Sequence, residues 1–291
     1  MKNVISIDCG GTNLRVAVVD ENLNILAIRK ENTVRNNPEK LYQTIKGLID
    51  EVAKEAKIDK IDAIGFSMCG IVMNNVVERV GNLGIEHFDF LPLFKKDFPG
   101  VKVSIANDGN CSALVEAEYG VNKGLVNSAF VTISTGIGLG VIHKGEMIDM
   151  PLEGGRLMQE YKGNIYEAEY LLSGNGIVNL AKLNGLQISS AKEFFDGIRE
   201  KDEKILSLYD IWVRMLGLWF ANIQLLFNLD QYALSGGVMK SEDIFLDDLT
   251  HIANAFIAAW HIKPIKFVDS KFRQDVGTMA AASLALHILN K

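Results

Sequence analysis

The apolar and polar positions of the chain fall first into three short runs, Val4–Asp8, Leu14–Asp20 and Asn24–Arg29. Gly10-Gly11 and Asp20-Glu21-Asn22 separate them. Runs of this length between turn residues predict strands joined by tight hairpins. From Pro38 to about Lys57 the period changes. Leu41, Ile45, Leu48, Ile49 and Val52 recur three or four apart, which predicts a helix with one buried face. Ile61–Ser67 and Val101–Ala106 predict two more strands. After Asn107-Asp108-Gly109-Asn110 a helix is expected to Tyr119, stopped by Gly120.

The second half begins in the same way. Ser128–Ser134 reads as a strand, Thr135-Gly136-Ile137-Gly138 as a glycine turn, and Leu139–His143 as a strand; Lys144-Gly145 then turns into Glu146–Asp149. Strand, glycine turn, strand, turn, strand thus occurs twice, at 4–29 and 128–149, and predicts two halves on one plan. Residues 159–229 are expected to be mostly helical, with a long amphipathic helix over 204–227 that places Trp212 and Trp219 in the core. A strand at Tyr232–Leu234, the turn Ser235-Gly236-Gly237, a helix over Asp247–Trp260, a strand near Ile265–Val268 and a final helix over Gly277–Leu289 complete the reading.

Composition narrows the class. The 291 residues are 48% hydrophobic, enough for a full core, and the length favours two domains. Thirty basic against 36 acidic residues give a formal charge of −6, so no nucleic-acid partner and no anionic membrane surface is expected. Three widely spaced cysteines, Cys9, Cys69 and Cys111, build no disulfide framework; with no signal-peptide pattern, a cytoplasmic location is the expectation.

The two glycine turns carry the chemistry. Neither a dinucleotide-binding G-x-G-x-x-G between strand and helix nor a Walker loop is present. A glycine hairpin can instead turn its backbone N–H groups toward a phosphate, because no side chain stands in the way. Asp8, at the end of its strand, is placed to reach a Mg²⁺ held on phosphate oxygens, and Thr12 adds a hydroxyl. A hairpin in each half makes a clamp for a polyphosphate. Ser235-Gly236-Gly237 ends a third strand, where a nucleoside could dock.

These segments resemble the ROK family of bacterial sugar kinases, within the actin–hexokinase–Hsp70 superfamily. The likeness rests on Ile7-Asp8-Cys9-Gly10-Gly11-Thr12, on Ala106-Asn107-Asp108-Gly109-Asn110-Cys111, on Ser134-Thr135-Gly136-Ile137-Gly138, and on Phe227-Asn228-Leu229-Asp230 through Gly236-Gly237-Val238. It implies an α/β, two-lobed actin-like (ribonuclease H-like) ATPase fold, with mixed sheets and an interlobe cleft. Residues 1–119 would form the N-terminal lobe, with helix 277–291 packing back on it, and 120–276 the C-terminal lobe. It further implies ATP and Mg²⁺ as cofactors, with Asp8, Gly10, Gly11, Thr12, Asn13, Thr135, Gly136, Gly138, Gly236 and Gly237 around the nucleotide. Asp108 would be the general base, taking the proton of a hexose hydroxyl, in the 6-position, as the γ-phosphoryl arrives. Asn82, Asn107, Glu153 and Glu169 would hold the sugar, the small-molecule partner. Relatives are often dimers, so a homodimer is one assembly the resemblance allows.

The chain departs from the family pattern at one place. Most members carry a cysteine cluster with a motif histidine that form a structural zinc site. Here those cysteines are missing and Arg156 stands for the histidine; an always-protonated arginine is no zinc ligand, so no zinc is expected. Tyr161–Tyr170 must then be held by packing, for which Ile165, Tyr166 and Tyr170 are the candidates. Three competing readings stand beside the kinase. A sugar-responsive repressor would place a DNA-binding domain ahead of the first motif. A non-catalytic sugar sensor or a structural actin-like protein would not need Asp108. An iron–sulfur activase would need clustered cysteines.

Overall fold

The computed structural model describes residues 2–273 and 276–291. Residues 1, 274 and 275, which the spans 1–119 and 120–276 include, lie outside the described residues. The chain divides into two compact units. One comprises Met1–Glu118, Met147–Pro151 and Gln274–Lys291, the other Tyr119–Glu146 and Leu152–Arg273.

Unit 1 runs through β1 (Asn3–Cys9), β2 (Asn13–Asp20), β3 (Ile25–Asn32), α1 (Pro38–Ala56), β4 (Ala63–Met68), β5 (Ile71–Met73), β6 (Val76–Val80), β7 (Ile85–Phe88), α2 (Leu91–Asp97), β8 (Lys102–Asn107) and α3 (Asp108–Glu118). Its main sheet has the order β3-β2-β1-β4-β8. β1–β2–β3 is an antiparallel meander, while β4 and β8 join parallel to β1. Asn37 caps α1 by accepting a hydrogen bond from the Lys40 N–H, and Pro38 supplies a preset first turn. The periodic residues Leu41, Ile45, Leu48, Ile49 and Val52 are all buried there.

Unit 2 follows through β9 (Ser128–Ile133), β10 (Ile137–His143), β11 (Glu146–Met147), β12 (Met158–Tyr161), β13 (Asn164–Glu167), α4 (Ala168–Leu172), α5 (Gly174–Leu183), α6 (Ala191–Arg199), α7 (Glu203–Phe227), β14 (Gln231–Ser235), α8 (Glu242–Ile257) and β15 (Phe267–Asp269). Its sheet has the order β11-β10-β9-β14-β15, with β9–β10 antiparallel and β14 parallel to both β9 and β15. The repeated strand–turn–strand pattern of the sequence thus becomes two mixed sheets with one strand order. Asp202 caps α7 and Asn228, in the left-handed conformation, ends it. Trp212 and Trp219 are core residues, and Trp212 meets Phe195 and Phe245 edge-on. The last helix, α9 (Val276–Asn290), belongs to unit 1 and packs on β1, β4 and α3.

Several local expectations change. Residues 71–97 carry a three-stranded sheet, β5-β6-β7, and α2, none of which the periodicity announced. The β5–β6 turn uses Asn74 and Asn75, both at positive φ, a hairpin signal that three- to five-residue strands make easy to overlook. The stretch expected to be helical from residue 159 opens instead on the β12–β13 hairpin, turned by Lys162-Gly163, both at positive φ. Ile165 does not pack that stretch, for it is 65% exposed, but Tyr166 and Tyr170 do, their rings stacked with centroids 5.4 Å apart. The hairpin ladder, the Tyr161 hydroxyl on Asn184 at 2.8 Å, and an Arg156–Glu167 ion pair hold it as well. The strand expected over Glu146–Asp149 stops after two residues. From its second residue on, the Met147–Pro151 segment clusters with unit 1, where Asn110 Nδ2 donates to the Met150 carbonyl. Helix α8 begins earlier than expected, at Glu242, and β15 slightly later, at Phe267.

Candidate active site

In unit 1 the candidate residues gather at the carboxyl ends of the parallel strands, where open α/β sheets bind ligands. The ladder sets Asp8 beside Ser67, and Ser67 beside Ala106, so β1 ends in the Gly10–Asn13 turn while β8 runs into Asn107 and Asp108. The turn's carbonyls are tied back. Thr33 Oγ1 donates to the Gly10 carbonyl at 2.7 Å, Arg35 to that of Gly11 at 3.0 Å, and the Thr33 N–H to that of Thr12 at 2.9 Å. The Gly10 N–H is taken by Asn13 O, whereas those of Gly11 and Thr12 have no partner among the described residues. Such a turn offers donors outward and suits an anion.

The two glycines differ. A Cβ on Gly11 would stand 2.1 Å from Asn82 Nδ2, but one on Gly10 would meet only Asn13 O, at 3.5 Å. Gly11 is therefore required for Asn82 to lie against the turn.

Asp8 is buried and pairs across the hairpin with Arg15 at 2.7 Å. Burial pushes its carboxyl above the ordinary carboxylate range, and the Arg15 hydrogen bond and charge pull it back. The start of α9 covers it: a Cβ on Gly277 would come within 2.4 Å of its carboxylate. Open N–H donors for anionic oxygens and one carboxylate for a cation fit a magnesium-bound polyphosphate.

Asp108 is exposed and is the first residue of α3. The helix cap is Asn107 beside it, whose Oδ1 accepts from the Gly109 and Asn110 N–H groups at 2.8 and 3.2 Å while its Nδ2 holds the Gly70 carbonyl. Asp108 Oδ1 also accepts from the Gly109 N–H, at 2.9 Å, within that cap. The amide of Asn107 is thus engaged in local structure. Cys9, Cys69 and Cys111 lie near Asp8 and Asp108, and burial raises all three thiols, Cys69 to about 12, so they remain protonated.

In unit 2 the second turn follows the end of β9. Thr135 is exposed, Gly136 and Gly138 half-buried. The Ile137 N–H, next to Gly136, donates to Glu169 Oε2 at 2.8 Å, and a Cβ on Gly136 would stand 2.4 Å from the same oxygen. Glu169, on α4, therefore rests its carboxylate on the glycine turn. Gly236, at φ 104°, closes β14 against β9, where a Cβ would be 2.2 Å from Ile133 O. Gly237 is exposed and would admit a Cβ freely.

Glu153 is exposed, and the short helical turn 154–156 after it is pinned by the core: Trp219 Nε1 donates to Gly154 O at 2.9 Å. Arg156 is held charged first by its hydrogen bond to Glu167, with Glu169 and Glu153 adding to the negative field. Sequence reasoning missed Arg15, Thr33, Arg35, Glu167 and Trp219 as supports. Only Arg15 left a readable signal, an acid and an arginine facing each other across a glycine hairpin.

The repeated mixed sheet, each with a glycine hairpin after its first strand, defines an actin-like ATPase fold. The ROK family model matches residues 4–158 and 161–288, and the chain belongs to that family. N-acetylmannosamine kinase of Escherichia fergusonii is 26% identical, over 97% of each chain. Two solved structures are similar in fold. A ROK hexokinase from Thermus thermophilus has a TM-score of 0.84 at 22% identity, covering 99% of this chain and 100% of that one. A ROK glucokinase from Streptomyces griseus, in complex with glucose and AMPPNP, has a TM-score of 0.74 at 21% identity, covering 98% and 99%.

Proposed function

We propose that the protein is a carbohydrate kinase that transfers the γ-phosphoryl group of Mg-ATP to the 6-hydroxyl of a hexose or hexose derivative. The observation that carries the reading is Asp108, an exposed carboxylate on the first residue of a helix whose cap duty falls mainly to Asn107. An exposed carboxylate at the end of a strand can accept the proton of an attacking hydroxyl. The open Gly11 and Thr12 N–H groups receive phosphate oxygens, and the Thr135–Gly138 turn does the same in its own unit. Asp8 is the residue for the magnesium ion, which when bound neutralises phosphate charge. Asn82, Glu153 and Glu169 hold sugar hydroxyls; Asn107, whose amide already serves the α3 cap, contributes mainly by fixing Asp108. Gly236 and Gly237 border the nucleoside. A ROK glucokinase solved with glucose and an ATP analogue, and N-acetylmannosamine kinases as relatives, support ATP as donor and a hexose as acceptor.

The test is ADP release from Mg-ATP across free hexoses, N-acetylhexosamines including N-acetylmannosamine, and β-glucosides. One sugar should give turnover that Asp108→Asn lowers by about 10²–10⁴-fold while leaving ATP affinity intact. Sugar and ATP bound without turnover would favour a sugar sensor instead.

A further inference from the structure

The carboxylate of Glu169 occupies a donor on the second glycine turn, which the kinase reading gives to phosphate. We propose that Glu169 is a positioning residue that couples the two substrates, holding that turn until sugar hydroxyls draw its carboxylate away and free the turn for ATP phosphate. This rests on the kinase reading.

Three observations support it, two in unit 2 and one in unit 1. The contact is intimate: Glu169 Oε2 accepts from the Ile137 N–H at 2.8 Å and fills the space a Gly136 side chain would take. The backbone that carries Glu169 is fixed. The Ala168 N–H donates to Leu157 O at 2.8 Å, and a Cβ on Gly155 would lie 2.8 Å from Ile137 O and 3.3 Å from Glu169 Cβ. With its backbone held, Glu169 leaves the turn by side-chain rotation, a change small enough for substrate binding to drive. Finally, the corresponding turn of unit 1 keeps the Gly11 and Thr12 N–H groups free of any carboxylate among the described residues.

The physical argument is competition. An ionised carboxylate only accepts hydrogen bonds, so it settles on whichever donors are at hand. Without sugar the nearest is the turn N–H. A phosphate arriving there must compete for that donor and also meets a like charge. Sugar hydroxyls offer the carboxylate replacement donors. Sugar and ATP should therefore bind with positive coupling, and linkage makes the effect reciprocal.

The experiment measures the affinity of Mg-AMPPNP by calorimetry, without sugar and with saturating N-acetylmannosamine or whichever hexose of the panel is phosphorylated. In the wild type, sugar should tighten AMPPNP binding about tenfold. Glu169→Ala should bind AMPPNP about tenfold more tightly than wild type without any sugar, and its ratio with and without sugar should fall to about one. Glu169→Gln keeps an acceptor but loses the charge. It should lie between them and raise sugar-independent ATP hydrolysis, which guards against a misfolded alanine variant. Equal wild-type affinities with and without sugar, in an enzyme that phosphorylates that sugar, would overturn the coupling and leave the kinase standing. Unchanged AMPPNP affinity in the sugar-free variants would overturn it as well. If no sugar is phosphorylated, the kinase reading fails on its own, and the sugar-free comparison still decides whether Glu169 obstructs the turn.

Discussion

The two glycine hairpins grow from sheets of the same strand order, yet they are prepared differently. The Gly10–Asn13 turn has its carbonyls drawn back by Thr33 and Arg35 and a neutral amide, Asn82, against its glycine. The Thr135–Gly138 turn carries a carboxylate, Glu169, in the space beside its glycine. One turn is open to an anion and the other holds one of its own. The same backbone motif can thus be a ready site or a guarded one, and the neighbour on the glycine decides which. The carboxyl-terminal ends of the third parallel strands differ too. In unit 1, β8 leads to the exposed Asp108; in unit 2, β15 ends at Asp269, which pairs with Arg273 and shares a hydrogen bond with Glu242.

Substituting the glycines breaks the comparison most sharply. Gly11→Ala must displace Asn82, so kcat/KM for the sugar should fall about 100-fold, the scale of an ångström-sized misplacement, whereas Gly10→Ala should stay within about threefold. Equal losses in both would remove the special role of Gly11. In the second turn Gly136→Ala pushes directly on the Glu169 carboxylate. Sugar KM should fall about tenfold, the scale of one charge-assisted hydrogen bond that no longer competes for the carboxylate, with the melting temperature little changed. An unaltered KM would argue against the guarded turn.

Arg156→Gln should act more weakly. Its pair with Glu167 is largely exposed, with side chains 56% and 39% accessible, so about 1 kcal/mol or less of stability is at stake. Thermal unfolding should shift by no more than about 2–4 °C. A larger loss would mean that the β12–β13 hairpin depends on that pair.

The smallest effect concerns the end of β15. The hydrogen bond to Asp269, burial and the Asp269 charge push the Glu242 carboxyl up to about 7 from its ordinary 4.5. The folded protein then keeps a proton that the unfolded chain has released. The stabilisation is full below about 4.5 and is lost as pH rises through about 7. Glu242→Gln, which stays neutral, should flatten that slope and raise the melting temperature at pH 8 by about 1–3 °C. Parallel melting curves for the two proteins from pH 5 to 8 would contradict it.

Much of this architecture was legible in the chain. The meander of β1–β3, the helices α1, α3, α7 and α9, and the recurrence of strand–turn–strand all follow from periods of two and 3.6 and from punctuation by glycine, asparagine and aspartate. The sheet of β5–β7 escaped because three- to five-residue strands hold too few alternations to register. The β12–β13 hairpin escaped because Met158 and Ile165 sit on its exposed face, against the usual rule that apolar positions point inward. Asp108 could be singled out, but the division of labour with Asn107 could not. Which of two neighbouring residues caps a helix depends on where the first helical turn begins.

The sequence alone determined the two halves, their strand–turn plan and the residue types at the turns, because those depend on local propensity and short-range pattern. The tertiary structure alone decided what sits on each turn. The Glu169–Ile137 contact spans 32 residues and the Arg35–Gly11 contact 24. Such pairs meet only once helices and sheets have packed, and no local free energy in the chain specifies them.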